Sequence, residues 1–166
     1  GVARAAFIAV QITQSLVNEG IISTAEYSKF FNSLNTIPKK LNQDLNNVYE
    51  GKLSQTDFLK LYGHLRPGTY DITAQRYDEN FSIYFDLSNP LKTIKETKFK
   101  FSKSQLMKID NLLKKTKLGT NSLDLIKFIK MSIEGREYTK FVFTKTISEC
   151  LGLIEKLGQK FNLSKE

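Results

Sequence analysis

Apolar residues recur at three- and four-residue intervals along most of the chain, the spacing that puts them on one face of an α-helix. Residues 2–18 are apolar almost all round, as in a helix buried at the centre of a domain, and Gly20 ends them. Ser23 and Glu26 then form a capping box. Tyr27, Phe30, Phe31, Leu34, Ile37, Leu41, Leu45 and Val48 keep one stripe down to residue 49. Pro38 sits in that stripe without a backbone N–H, so it either kinks one helix over 24–49 or opens a second at its first turn. Gly51 closes the segment, and Ser54 and Asp57 cap a short helix over 54–62 that carries Phe58, Leu59 and Leu61.

Helix returns at Ser102, with Gln105 as its capping-box partner, and runs over 103–117 with Leu106, Ile109, Leu112 and Leu113 facing inward. Gly119 separates it from a helix over 121–133 striped by Leu123, Ile126, Ile129 and Ile133. A last helix over 135–161 turns Phe143, Ile147, Cys150, Leu151, Ile154, Leu157 and Phe161 to the core. Between 63 and 101 the helical spacing stops at Gly63, Pro67, Gly68, Pro90 and many aromatics; "FKF" at 99–101 suits a short extended piece. The expected fold is all-α: an irregular multi-helix bundle with one long structured loop at about 63–101.

A length of 166 residues fits a single helical domain over 1–166 with a sizeable core. The first helix starts without a capping residue or initiator Met, and Ser164 stands like an N-cap with Glu166 entering a turn that goes no further. Both ends therefore suggest an excised piece of a larger multidomain enzyme. No apolar run approaches the ~20 residues that span a bilayer, and no signal peptide is present. The single Cys150 has no internal disulfide partner; its place on an apolar stripe predicts a buried free thiol, which fits a reducing cytoplasm.

The net charge of +8 is unevenly spread: residues 1–89 hold 8 basic and 9 acidic side chains, and residues 90–166 hold 17 and 8. Of the 25 basic residues 21 are Lys, scattered among apolar positions with no Arg cluster. This reads as a solvated Lys-rich surface, with nucleic acid an unlikely partner.

The chemistry concentrates in "YGHLRPGTYDI", Tyr62 to Ile72, which holds the only histidine. The structural reading makes Gly63 a helix terminator, Pro67-Gly68 a type II turn, Asp71 an acceptor of nearby N–H groups, and Leu65, Tyr70 and Ile72 anchors under the loop. The binding reading notes that His64, Arg66, Tyr70, Asp71 and Arg76 converge in one loop, where arginine forks suit phosphate or carboxylate. Asp71 has an arginine within five residues on either side, which predicts an ion pair. One His and one Cys offer no metal-ligand spacing, and no phosphate-cradling glycine loop is present.

The run "FLKLYGHLRPGTYDITAQRYDEN" resembles the middle region of phosphoenolpyruvate synthase-like proteins, the group that includes pyruvate phosphate dikinase, in a branch similar to rifampicin phosphotransferase. "ISTAEYSKFFNSLNTI" and "EGREYTKFVFTKTISECLGLIEKLG" resemble the same family. The resemblance implies a parent enzyme with an ATP-grasp domain, this helical middle part and a swivelling phosphohistidine domain, using ATP and Mg. The resemblance implies that this chain corresponds to the middle part alone. "YGHLRPG" does not look like a phosphohistidine loop, so His64 is not the carrier, and the fragment holds no cofactor of its own. The implied role is the acceptor-binding part of an ATP-dependent phosphotransferase, not catalytic alone, with an anionic small molecule as ligand. The alternatives are a purely structural connector in that enzyme, or an unrelated basic helical module that binds nucleic acid or a partner protein.

Overall fold

The computed structural model describes residues 1–86 and 97–164. Pro90 and Glu166, used above as a loop break and a helix start, lie outside them. Seven helices are present among the described residues: α1 (Val2–Asn18), α2 (Thr24–Ser33), α3 (Ile37–Tyr49), α4 (Gln55–Tyr62), α5 (Phe81–Tyr84), α6 (Lys103–Lys115) and α7 (Ser122–Lys160). No described residue forms a strand, "FKF" included. The chain is all-α, as its periodicity predicts.

The capping residues start their helices as expected. Ser23 accepts the Glu26 N–H while Glu26 accepts the Ser23 N–H, and Ser102 and Gln105 do the same for α6. Ser54 accepts the Asp57 N–H at the start of α4. These bonds satisfy N–H groups that have no partner inside a helix. The stripe over 24–49 is two helices: Leu34 takes extended angles, and Pro38 lies in the first turn of α3, where its missing N–H costs nothing.

Separate helices over 121–133 and 135–161 were expected, yet one helix of 39 residues runs through Gly135. A mid-helix glycine costs only about 1 kcal/mol relative to alanine, and neither a proline nor a capping residue adjoins it. The described residues gather into two compact units, the first from 1–36 and 97–139, the second from 37–86 and 140–164, so that α7 contributes one half to each.

The first unit buries Ala9, Leu16, Phe30, Leu34, Ile109, Leu113 and Ile129. Phe99 and Phe101 stand edge-on to Phe30 at 5.9 and 5.6 Å, which brings the end of the long loop into this core. Apolar all round, α1 was expected at the centre. It buries only the face of Ala6, Ala9, Thr13 and Leu16 and leaves Phe7 and Ile8 exposed, with the Arg136 guanidinium 5.1 Å over the Phe7 ring. Asp110 on α6 accepts the N–H and hydroxyl of Ser122 at 2.7 and 3.1 Å and so fastens the start of α7.

The second unit closes over Leu45, Phe58, Tyr62 and Phe81. The short helix α5 arises inside the loop and delivers Phe81 and Phe85 to Phe58, with centroids 6.0 and 5.6 Å away. Tyr62 donates to Asp44 at 2.7 Å; burial first, and this carboxylate second, push its phenol well above the usual range.

Candidate functional site

The loop that follows α4 closes on itself. Tyr77 N–H donates to the Leu65 carbonyl at 2.9 Å and Asp78 N–H to the Gly63 carbonyl at 3.1 Å, so 63–65 and 77–78 lie side by side. Gly63 ends α4 as expected, at φ −57° and ψ −31°. Glycine is needed there for space, since a side-chain carbon would strike the Leu59 carbonyl oxygen and come within 2.8 Å of Asp78 Cβ. The chain bends at Pro67-Gly68 with Gly68 at φ +58°, but the hydrogen-bonded turn spans 68–71, where the Asp71 N–H donates to the Gly68 carbonyl at 2.6 Å.

His64 and Arg66 point inward, at 6 % and 7 % exposure. The His64 ring packs on Phe141 of α7 with centroids 5.0 Å apart, and its Nε2 is buried without a hydrogen-bond partner. Burial pushes its pKa down; a hydrogen bond to the Phe141 backbone works against that, Lys145 and Arg76 add to the lowering, and Asp78 opposes it. Arg66 donates to the Asp71 backbone carbonyl at 3.3 Å and to the Ser148 hydroxyl of α7 at 3.4 Å, while its Nε is buried without a partner. Arg76 grips Asp78 with two donors, Nε at 2.8 Å and Nη2 at 2.5 Å, and its N–H donates to Glu79.

The five candidate residues therefore divide. His64 has Arg76 and Asp78 close enough to shift its titration. Asp71 was expected to pair with an arginine; its carboxylate instead accepts the N–H and hydroxyl of Thr73 at 2.9 and 2.6 Å. The reach of two residues settles this, and those Thr73 bonds are the main reason its pKa lies below the usual carboxylate value. Tyr70 is not an anchor but stands 72 % exposed. A hollow beside Ile72, Ile154, Gly158 and Leu163 is lined by none of the five. Ser148, fully buried and bonded to Arg66, was missed, because a lone serine inside a helix carries no local signal.

The other face of α7 departs furthest from expectation. Of the seven residues expected to face the core, Phe143, Cys150, Ile154, Leu157 and Phe161 are exposed, Cys150 among them against the expected buried thiol, while Ile147 and Leu151 are half-buried. The unit packs instead on Phe141, Thr144 and Ser148, the side that His64 and Arg66 hold. Thr144 and Ser148 are tolerated there because the Thr144 hydroxyl donates to the Lys140 carbonyl at 2.6 Å and Ser148 bonds Arg66.

Among the described residues no group of three His, Cys, Asp or Glu could hold a metal ion, and no helix is long and apolar enough to cross a membrane. No family model, curated protein or solved structure matches the chain. The resemblance to phosphoenolpyruvate synthase-like proteins rests on the sequence runs alone.

Proposed function

We propose that this chain is a non-catalytic helical interaction module. Its working surface is the outward apolar face of α7, and its 62–78 loop is the fastening that holds the opposite face. The observation that carries this reading is the contrast on one helix: the loop's arginines are spent on internal partners, while the α7 stripe meets solvent. Large exposed apolar stripes mark protein interaction sites. The test is a titration of the chain with inorganic phosphate and with Mg–ATP, followed by backbone amide NMR. Amide resonances of 62–78 are expected to stay in place to millimolar ligand. Saturable shifts at His64 and Arg66 overturn the reading.

A second reading keeps the acceptor-binding role in an ATP-dependent phosphotransferase, with ATP and Mg held by other domains of a parent enzyme. The buried, unpartnered Nε of Arg66 and Nε2 of His64 favour it, since both atoms are left to meet an anionic group. The same saturable shifts, seen with phosphate, would support it.

A further inference from the structure

We infer that the outward face of α6 docks in the major groove of duplex DNA and holds its two phosphate rims with little regard to base sequence. The inference goes beyond the interaction-module reading and stands on the first unit alone. Residues 97–117 hold seven lysines and one acid, Asp110, and that acid is turned away to Ser122. Scattered in sequence, four of these lysines are gathered by the helix. At about 100° per residue, Lys108 and Lys115 fall on one edge of its outward side and Lys103 and Lys114 on the other, roughly 120° apart. Ser104, Met107 and Asn111 lie between the two rows, and all of these side chains are exposed. Among the described residues none of the four lysines has an ion-pair partner. The acids of the same unit are committed elsewhere: Glu26 to Gln105, Asp124 to Asn121, Glu134 to the Asn35 N–H and Glu137 to Arg136.

Charge complementarity and shape name the occupant. A helix with its side chains is about 10–12 Å across, and the major groove is about 12 Å wide. Seated there, α6 sets one lysine row against each phosphate rim, and turns the Ser104 hydroxyl and the Asn111 amide to the base edges between them. An acidic partner helix presents its carboxylates along one seam and leaves a lysine row unanswered. No aromatic ring lies on the face to stack with the bases of a single strand. Lysine supplies point charges in place of arginine's two-donor fork, so these contacts position a duplex without reading its sequence. Glu19 borders the hollow that Lys108, Asn111 and Lys115 also line, and pairs with neither lysine, so its charge opposes an anion on that edge.

Fluorescence anisotropy of a labelled, mixed-sequence DNA duplex of about 20 base pairs, titrated with the chain, tests this. Four phosphate contacts predict an affinity that falls about a hundredfold between roughly 50 and 200 mM salt. Lys108→Ala with Lys115→Ala, and Lys103→Ala with Lys114→Ala, should each weaken binding at least about tenfold and lower the salt slope by about two, with helical content retained. Lys40→Ala with Lys52→Ala removes the same charge from exposed sites of the second unit and should leave affinity and slope nearly unchanged. Glu19→Gln should tighten binding. An RNA duplex, whose major groove is too narrow for a helix, and poly-glutamate should each compete at least about tenfold more weakly than unlabelled DNA duplex. Absence of binding at about 50 mM salt overturns the inference. So does a salt slope that survives loss of either lysine row, an equal loss in the Lys40 and Lys52 control, or a Glu19→Gln chain that binds no tighter. Poly-glutamate competing as well as DNA makes the partner an acidic protein, and RNA duplex competing as well removes the groove; either overturns it.

Discussion

Gln105 donates its side-chain amide to the Glu26 carboxylate across 2.9 Å, so the capping boxes of α6 and α2 hold each other. The Gln105 carbonyl meanwhile accepts the Ser102 N–H at 2.9 Å. Gln105→Ala removes both bonds and should cost about 1–2 kcal/mol in urea denaturation. Gln105→Glu keeps the reach to Ser102 but sets two carboxylates together. Glu26 is held below its ordinary 4.5 by the Ser23 backbone N–H first and the Gln105 amide second. Such a carboxylate adds stability above the unfolded pKa and loses it as pH falls through the folded one. The deficit of Gln105→Glu should therefore be full at neutral pH and narrow in acid, where repulsion is relieved. An equal deficit at pH 7 and pH 3.5 would count against the contact.

Gly63→Ala forces a carbon onto the Leu59 carbonyl and the Asp78 side chain. The paired backbone of 63–65 and 77–78 must then open, at about 1–3 kcal/mol. Gly119→Ala is the control, because nothing lies within 4 Å of its added carbon and its φ is not left-handed. Equal unfolding midpoints for the two variants would refute the close approach.

His64 is neutral in the folded chain because burial lowers its pKa from 6.5. Below pH 6.5 the unfolded chain binds a proton that the folded chain resists, so stability falls from there down to the folded pKa. The lowered carboxylates Glu26, Asp57 and Asp71 act at lower pH, and leave the window between 6.5 and 5 to histidine. The urea midpoint should drop from pH 7 to pH 5, and His64→Leu should flatten that drop. A pH-independent midpoint in the native chain would refute the burial argument.

The two loop arginines should respond differently. Arg66→Lys loses the planar fork that reaches the Asp71 carbonyl and Ser148 together, and should cost about 1–3 kcal/mol at a buried site. Arg76→Lys alters a pair nearer solvent, worth about 0–1 kcal/mol. Thermal melts of both variants decide. Greater loss at Arg76 would reverse the assignment of the fastening residue.

What the sequence determined by itself is what residues a few positions apart decide together. The three N-caps, the new helix at Pro38, the bend at Pro67-Gly68 and the apolar periodicity all rest on bonds or spacings within one or two helical turns. Their energies are nearly complete before the chain folds back on itself. What only the tertiary structure decided is which side of each helix is covered. In α7 both the Phe143–Phe161 stripe and the Phe141–Ser148 side suit burial, and periodicity alone favours the stripe. The choice fell the other way because Arg66, 82 residues from Ser148 in sequence, gives that serine a partner, and His64 packs on Phe141. A small local cost is overruled when packing elsewhere contributes more, and no short stretch of sequence contains that comparison.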